Sequence, residues 1–506
     1  MKRIFILVGL FILATFVYTI SLLQYIYVSS LNQVFPKGII LYIVEAILWF
    51  IALIIAGRIV LKQTYAYNKS YWIIIILMNP LLGILLYMIF ARDFATRKFY
   101  KTRPLIASKA FLGFEENTFP KYEDHPYGEI FKYIHETSGR SVYEDDTYVE
   151  VLNNGDEFFP FLAKELKKAK EYILMEFYIV KNDKIGRKIL DILKEKAKEG
   201  LEVKLIYDHF GSNKHLDKKY MNSLREAGVK TLAFDPQTLS IFNSNLNFRN
   251  HRKATVIDGH IGFMGGMNLG DEYNHESPKF GFWRDTHILI KGNGVTSIQN
   301  VFIKDWYYIS NEVLDYKMDK SNEHFPGMFA VIESGPDFEN GLIRDVYIKM
   351  MFRAKKSIKI VTPYLIIEPE VMSALKIALK SGVEVNLLVP GLHDYVMVGF
   401  ATQSYYEQLL SMGVRIYEYR KHFVHSKVLI IDDEIGSVGS VNFDPRSFHL
   451  NFEVTGVFQN EAIRKLVHSF EDDLTKSDEI ILEKWKKQGL LKRIVQGLFN
   501  LFSPIF

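Results

Sequence analysis

The chain carries one polar pattern twice, with every matched position 174 residues apart. His251-Arg-Lys253, Asp258, Gly265-Gly266 and Asn268 are answered by His425-Ser-Lys427, Asp432, Gly439-Ser440 and Asn442. Apolar positions recur in any layered fold, but packing does not require a histidine, a lysine and an asparagine to return at identical spacing. Two related units are therefore expected, each supplying one copy. Their surroundings recur as well: Ala169 to Ile173 matches Ala354 to Ile358, and Gly200 to Val203 matches Gly382 to Val385. Strand-like and helix-period runs alternate in the same order in both halves, which predicts two tandem α/β units packed with pseudo-twofold symmetry around one site.

Spacing within each copy points to chemistry. Ala254 to Ile257 and Val428 to Ile431 read as strands, on which residues two apart face the same way. His251 and Lys253 therefore point together, as do His425 and Lys427. Asp258-Gly259 and Asp432-Asp433 fall where a tight turn would end each strand. Beyond the turn, glycine lets backbone approach a ligand, and Asn268 or Asn442 can donate a hydrogen bond to it. Two imidazoles, two ammonium groups and two amides in one pocket suit a phosphodiester. Lysines offset its charge, amides hold its non-bridging oxygens, one imidazole attacks phosphorus and the other protonates the leaving oxygen. No metal or other cofactor is required. Each residue alone has an ordinary reading as a satisfied histidine, a solvated lysine or a turn-forming aspartate. Asp258 and Asp432 stand with the catalytic set His251, Lys253, His425 and Lys427, yet suit a structural role in orienting strand and turn.

The 506 residues include no cysteine, which excludes disulfides, cysteine-ligated metals and thiol nucleophiles. Charge is distributed unevenly: residues 1–90 hold six basic groups and one acid, whereas the remainder is nearly neutral. Three apolar runs, 4–28, 38–57 and 71–90, predict a membrane anchor of two or three transmembrane segments. Asn79-Pro80 interrupts the third run, which either crosses or dips and returns. A near-neutral body argues against nucleic acid held by a broad basic field. The expected order is anchor 1–90, connector 91–142, repeats 143–315 and 316–482, and a basic amphipathic helix over 483–506. In that last segment Leu490, Leu491, Ile494, Val495, Leu498, Phe499 and Phe502 recur at helical spacing beside Lys486, Lys487, Lys492 and Arg493. The pattern suits an anionic bilayer surface and a cover for the protein's own core equally.

At these residues the sequence resembles the phospholipase D superfamily and, within it, the bacterial cardiolipin synthases. The resemblance covers nearly the whole chain. It rests on Asn250 through Asn268, Trp283-Arg-Asp285, Ser334-Gly-Pro-Asp337, Thr362-Pro-Tyr364 and Asp444-Pro-Arg446 through Glu453. Trp72 through Tyr87 resembles the family's N-terminal membrane hairpin, which the run 4–28 precedes. The resemblance implies a multi-pass protein of the cell membrane, with its catalytic body on the cytoplasmic face and phosphatidylglycerol and anionic lipids as partners. It implies a two-step transfer in which His251 attacks one phosphatidylglycerol, His425 protonates the departing glycerol, and a second phosphatidylglycerol accepts the phosphatidyl group. The two histidines can exchange these roles. Asp285 and Glu453 match the superfamily's acids that hold an imidazole tautomer. A phospholipase D or another phosphatidyltransferase uses the same nucleophile, and a membrane-tethered nuclease is a remoter alternative.

Overall fold

The computed structural model describes residues 36–61, 66–90, 122, 125–234, 248–277, 279–316, 321–337, 341–420 and 422–501. They divide into an apolar helical unit, within residues 1–97, and a larger α/β unit. The helical unit contains α1 (Pro36–Val60), α2 (Ala66–Met78) and α3 (Pro80–Phe90). Within α1, Ile43–Val60 has a mean hydropathy of 2.3 and the length needed to cross a bilayer. The expected run 4–28 lies outside the described residues.

The run 71–90 forms two helices in place of one, in keeping with the dip-and-return alternative for this run. Asn79 stops α2, its side-chain oxygen accepts the Leu82 N–H, and Pro80 opens α3. The chain then folds back. Trp72 and Tyr87 meet edge-on with ring centres 5.3 Å apart, where a continuous helix would separate them by about 22 Å. Gly83 permits the close approach, since a Cβ there would lie 2.5 Å from the Ile75 carbonyl oxygen. Helices of 13 and 11 residues are each about 20 Å long or less, short of a ~30 Å hydrocarbon core.

In the α/β unit, α4 (Gly128–Ser138) and β1 (Val142–Glu144) precede the first repeat. That repeat runs β2 (Thr147–Asn153), α5 (Asn154–Lys168), β3 (Tyr172–Phe177), α6 (Lys184–Lys198), β4 (Glu202–Asp208), α7 (Lys218–Glu226) and β5 (Lys230–Phe234). It continues with β6 (Lys253–Ile257), β7 (Ile261–Gly265), β8 (Trp283–Arg284), β9 (Thr286–Gly292) and α8 (Val295–Ser310). The second repeat runs β10 (Met328–Ser334), α9 (Leu342–Arg353), β11 (Ser357–Val361), α10 (Pro369–Lys380), β12 (Glu384–Pro390), α11 (Val396–Ser404), α12 (Tyr406–Met412) and β13 (Arg415–Tyr419). It continues with β14 (Phe423–Val424), β15 (Val428–Ile431), β16 (Ile435–Gly439), α13 (Pro445–His449), β17 (Glu453–Gln459) and α14 (Ala462–Thr475). β18 (Ser477–Glu479) and α15 (Leu490–Leu501) follow.

The two sheets have the same strand order. One reads β2-β9-β7-β6-β3-β4-β5, and the other reads β10-β17-β16-β15-β11-β12-β13 with β1 and β18 added at its edges. Each encloses its own apolar core. The crossover helix α6 shows how the pattern works. Asp183 caps its first turn through the Gly186 N–H, and Ile185, Ile189, Leu190, Ile192 and Leu193 form one buried face. One boundary moves: residues 143–144, placed with the first repeat by sequence, hydrogen-bond to β10 of the second sheet. Asp145, at φ 57°, turns the chain from one sheet towards the other.

Candidate active site

Two short parallel pairings between the repeats build the site. β8 pairs with β14, matching Trp283 to Phe423 and Arg284 to Val424. Asn250 and Phe452 form the equivalent bridge. As a result the His425 N–H donates to the Arg284 carbonyl at 2.7 Å, and the His251 N–H donates to the Phe452 carbonyl at 2.9 Å. The residue after each acceptor is an acid, so the acids are exchanged between repeats. His251 Nδ1 lies 2.9 Å from Glu453 Oε1, and His425 Nδ1 lies 2.7 Å from Asp285 Oδ2.

Both acids are fully buried. Burial works to raise the Glu453 pKa, but His251, Lys253 and the Ser440 hydroxyl hold it below the usual carboxylate value. An ionised carboxylate only accepts, so Nδ1 of His251 carries the proton and Nε2 presents a lone pair. Burial brings His251 itself down to about 4, with Glu453 opposing and Lys253 assisting. Burial, then Lys427, Lys253 and His251, puts His425 well below its usual value. Both imidazoles are therefore neutral at neutral pH. Burial raises Asp285, against the pull of Lys427 and the Thr286 N–H.

Lys253 and Lys427 are buried, and each ammonium donates to the carbonyl oxygen of its own histidine. Burial lowers Lys427 to about 8 and Lys253 well below its usual value. Both ammonium groups feel Glu453 and Asp285, which places the four groups around one centre. Burial disfavours the charged form of both lysines, and a phosphodiester anion entering there would favour it. The halves differ in detail. A Cβ on Gly266 would lie 2.1 Å from Asp285 Oδ1, whereas its counterpart Ser440 donates its hydroxyl to Glu453.

The remaining sequence candidates divide. Asn268 is engaged in the scaffold: its oxygen accepts the Ile179 N–H at 2.9 Å and its amide donates to the Tyr273 hydroxyl at 2.6 Å. The buried Asn442 Oδ1 has no hydrogen-bond partner among the described residues. Asp258 accepts the N–H groups of Lys170, Glu171 and Tyr172. Asp432 accepts those of Lys355, Lys356 and Ser357, and the Tyr127 hydroxyl. Each aspartate joins the turn after one strand to the start of its neighbour, and neither bonds an imidazole. These contacts fit the structural role in orienting strand and turn.

Aromatic rings line the histidines. Tyr178 lies edge-on to His251 at 5.0 Å with the Lys253 ammonium 5.4 Å from its centre, while Tyr273 and Trp283 stand 5.7 and 5.5 Å from His425. Sequence reasoning missed Tyr178 and Tyr273. Their counterparts are Pro363 and Ser447, so a search for repeated residues passes over them. Among the described residues, no three His, Asp or Glu side chains are grouped to hold a metal ion.

Comparison with known proteins adds a family context. Residues 162–306 and 347–475 match the family model described as cardiolipin synthase, PLD-like domain. The chain is 40% identical over 463 residues to cardiolipin synthase 2 of Bacillus anthracis, covering 90% of each. It is 40% identical over 443 residues to the cardiolipin synthase of Geobacillus sp. (strain WCH70), covering 86% of this chain and 88% of that one. The solved phosphatidylserine synthase of Haemophilus influenzae Rd KW20 shares the fold, with a TM-score of 0.57 at 13% identity over 74% of this chain and 98% of that one.

Proposed function

Because the chain belongs to the family of cardiolipin synthases with phospholipase D-like domains, we propose that it converts two phosphatidylglycerol molecules into cardiolipin and glycerol through a phosphohistidine. His251 Nε2 attacks phosphorus, the P–N bond forms and the P–O bond to glycerol breaks. His425 gives its proton to the departing glycerol oxygen. The terminal hydroxyl of a second phosphatidylglycerol then gives its proton to His425 and attacks phosphorus, releasing His251. Lys253 and Lys427 offset charge on the phosphoryl oxygens, and Glu453 and Asp285 hold the imidazole tautomers.

The exchange of acids between repeats carries this reading, since it gives each imidazole a carboxylate behind Nδ1 and leaves Nε2 for substrate. His425 is neutral before substrate arrives, and the phosphodiester's negative charge favours its protonation. We assign the anchor to α1 as a bilayer span, to the run 4–28 as a further span, and to the α2–α3 hairpin as a segment that enters and returns. From the family resemblance we place the catalytic body on the cytoplasmic face. Supporting α1 as a span are its hydropathy and the exposed apolar side chains along it, among them Ile47, Phe50 and Leu53.

The reaction is tested by incubating detergent-purified protein with phosphatidylglycerol and analysing the lipids by mass spectrometry. Cardiolipin with released glycerol is expected. Phosphatidic acid without cardiolipin would identify water as the acceptor and defeat the synthase reading.

A further inference from the structure

The last helix has two apolar faces, and the fold uses one. α15 lies antiparallel on α11 and the start of α12: Phe499 stacks on Phe400 at 5.9 Å, Gln496 bonds Gln403, and Arg493 meets Glu407 of α12. Val495, Gln496 and Phe499 thus turn inward. Leu490, Leu491, Ile494 and Leu498 occupy the adjoining ~100° of the helix and are 49–76% exposed. Tyr395 and Val396, at the start of α11, are exposed as well.

We propose that α11 and α15 form the surface by which the α/β unit docks on an anionic lipid bilayer, presenting its phosphodiester pocket to lipid headgroups. Charge selects this occupant. Residues 484–501 contain five basic side chains and no acid, which favours an anionic surface. A second copy meeting this face across a twofold axis would set those charges against themselves. Position supports it too. Asp394 directly precedes Tyr395, accepts the Tyr364 hydroxyl, and feels the ammonium of Lys427 in the pocket. The Tyr395–Val396 end of the apolar face therefore adjoins the pocket wall, where a lipid's acyl chains would leave its phosphate. The proposal extends the lipid reading above but can be tested apart from it.

The absence of native cysteine allows single fluorescent labels on the full-length protein in nanodiscs containing phosphatidylglycerol and nitroxide-bearing lipid. Labels at Ile494→Cys and Val396→Cys should be quenched by the lipid nitroxide at least twice as strongly as a label at Lys198→Cys on α6. Quenching equal to that at Lys198→Cys overturns the proposal, whether the dyes face water or are shielded by another copy. In the second arm, Leu491→Glu combined with Ile494→Glu should lower turnover of nanodisc phosphatidylglycerol at least tenfold. Turnover of dispersed short-chain phosphatidylglycerol should stay within twofold, which also reports intact folding. Equal turnover by variant and parent on both substrates overturns it. Absence of turnover by the parent defeats the reaction assignment alone, since the quenching arm still reads docking.

Discussion

Replacing the acid behind one imidazole alters the opposite side of the ring. In Glu453→Gln the side-chain amide can donate to His251 Nδ1, which moves the ring proton to Nε2 and removes the attacking lone pair. Turnover should fall by about 10³–10⁴ with the thermal midpoint little changed, as the corresponding change does in serine proteases. A loss below tenfold in kcat would show that Glu453 does not set the tautomer. His287 offers a separate pH test. It is fully buried, stacks on Phe158 at 4.1 Å, and burial lowers it to about 3. In the unfolded chain it titrates near 6.5. Between those values only the unfolded state binds the proton, so this group's contribution is intact above about pH 6.5 and declines as pH falls towards 3. His287→Asn should therefore reduce proton uptake on unfolding near pH 5 by about one. Urea titrations of parent and variant across pH 4–7 measure it, and parallel slopes would contradict the assignment.

The element scale shows what a repeated pattern can reveal. Asp258 and Asp432 adopt left-handed backbone at φ 51° and 56° and collect the amides at the starts of β3 and β11. Asp432→Ala strands those donors and should cost about 2–3 kcal/mol by denaturant midpoint, with kcat within a few-fold of the parent. A kcat loss above a hundredfold at unchanged stability would return this residue to the chemistry. The duplicated motif made β6, β15, their turns and the paired histidines legible, because the same local constraints act twice. Tyr178 and Tyr273 were not legible, since tertiary packing in one repeat alone places them. The edge position of β1 and the fold-back at Asn79 were also hidden or left open. Both depend on contacts between segments that no periodicity records. For α15 the sequence offered bilayer or core as alternatives, and the structure assigns an inward face and leaves a second apolar face exposed.

At the scale of the molecule, polar links bind the repeats together. Arg284 of the first pairs with Asp473 of the second, Arg252 joins Asp305 to Glu333 across the boundary, and the Thr286 and Ser426 hydroxyls bond each other. These groups are buried, so separating the halves would leave charges without partners. Fluorophores placed singly in each repeat should therefore report coincident urea transitions; midpoints more than about 0.5 M apart would mean independent units. The crossing of acids also bears on descent. A half-length ancestor could equip its histidine only by pairing with a copy of itself, and every change would then have struck both sides at once. Fusion into one chain released the halves to diverge, and Gly266 against Ser440, Arg252 against Ser426, and Tyr273 against Ser447 record that freedom. Two identical halves of one site became two different halves, which suits a reaction in which one imidazole attacks phosphorus and the other transfers a proton.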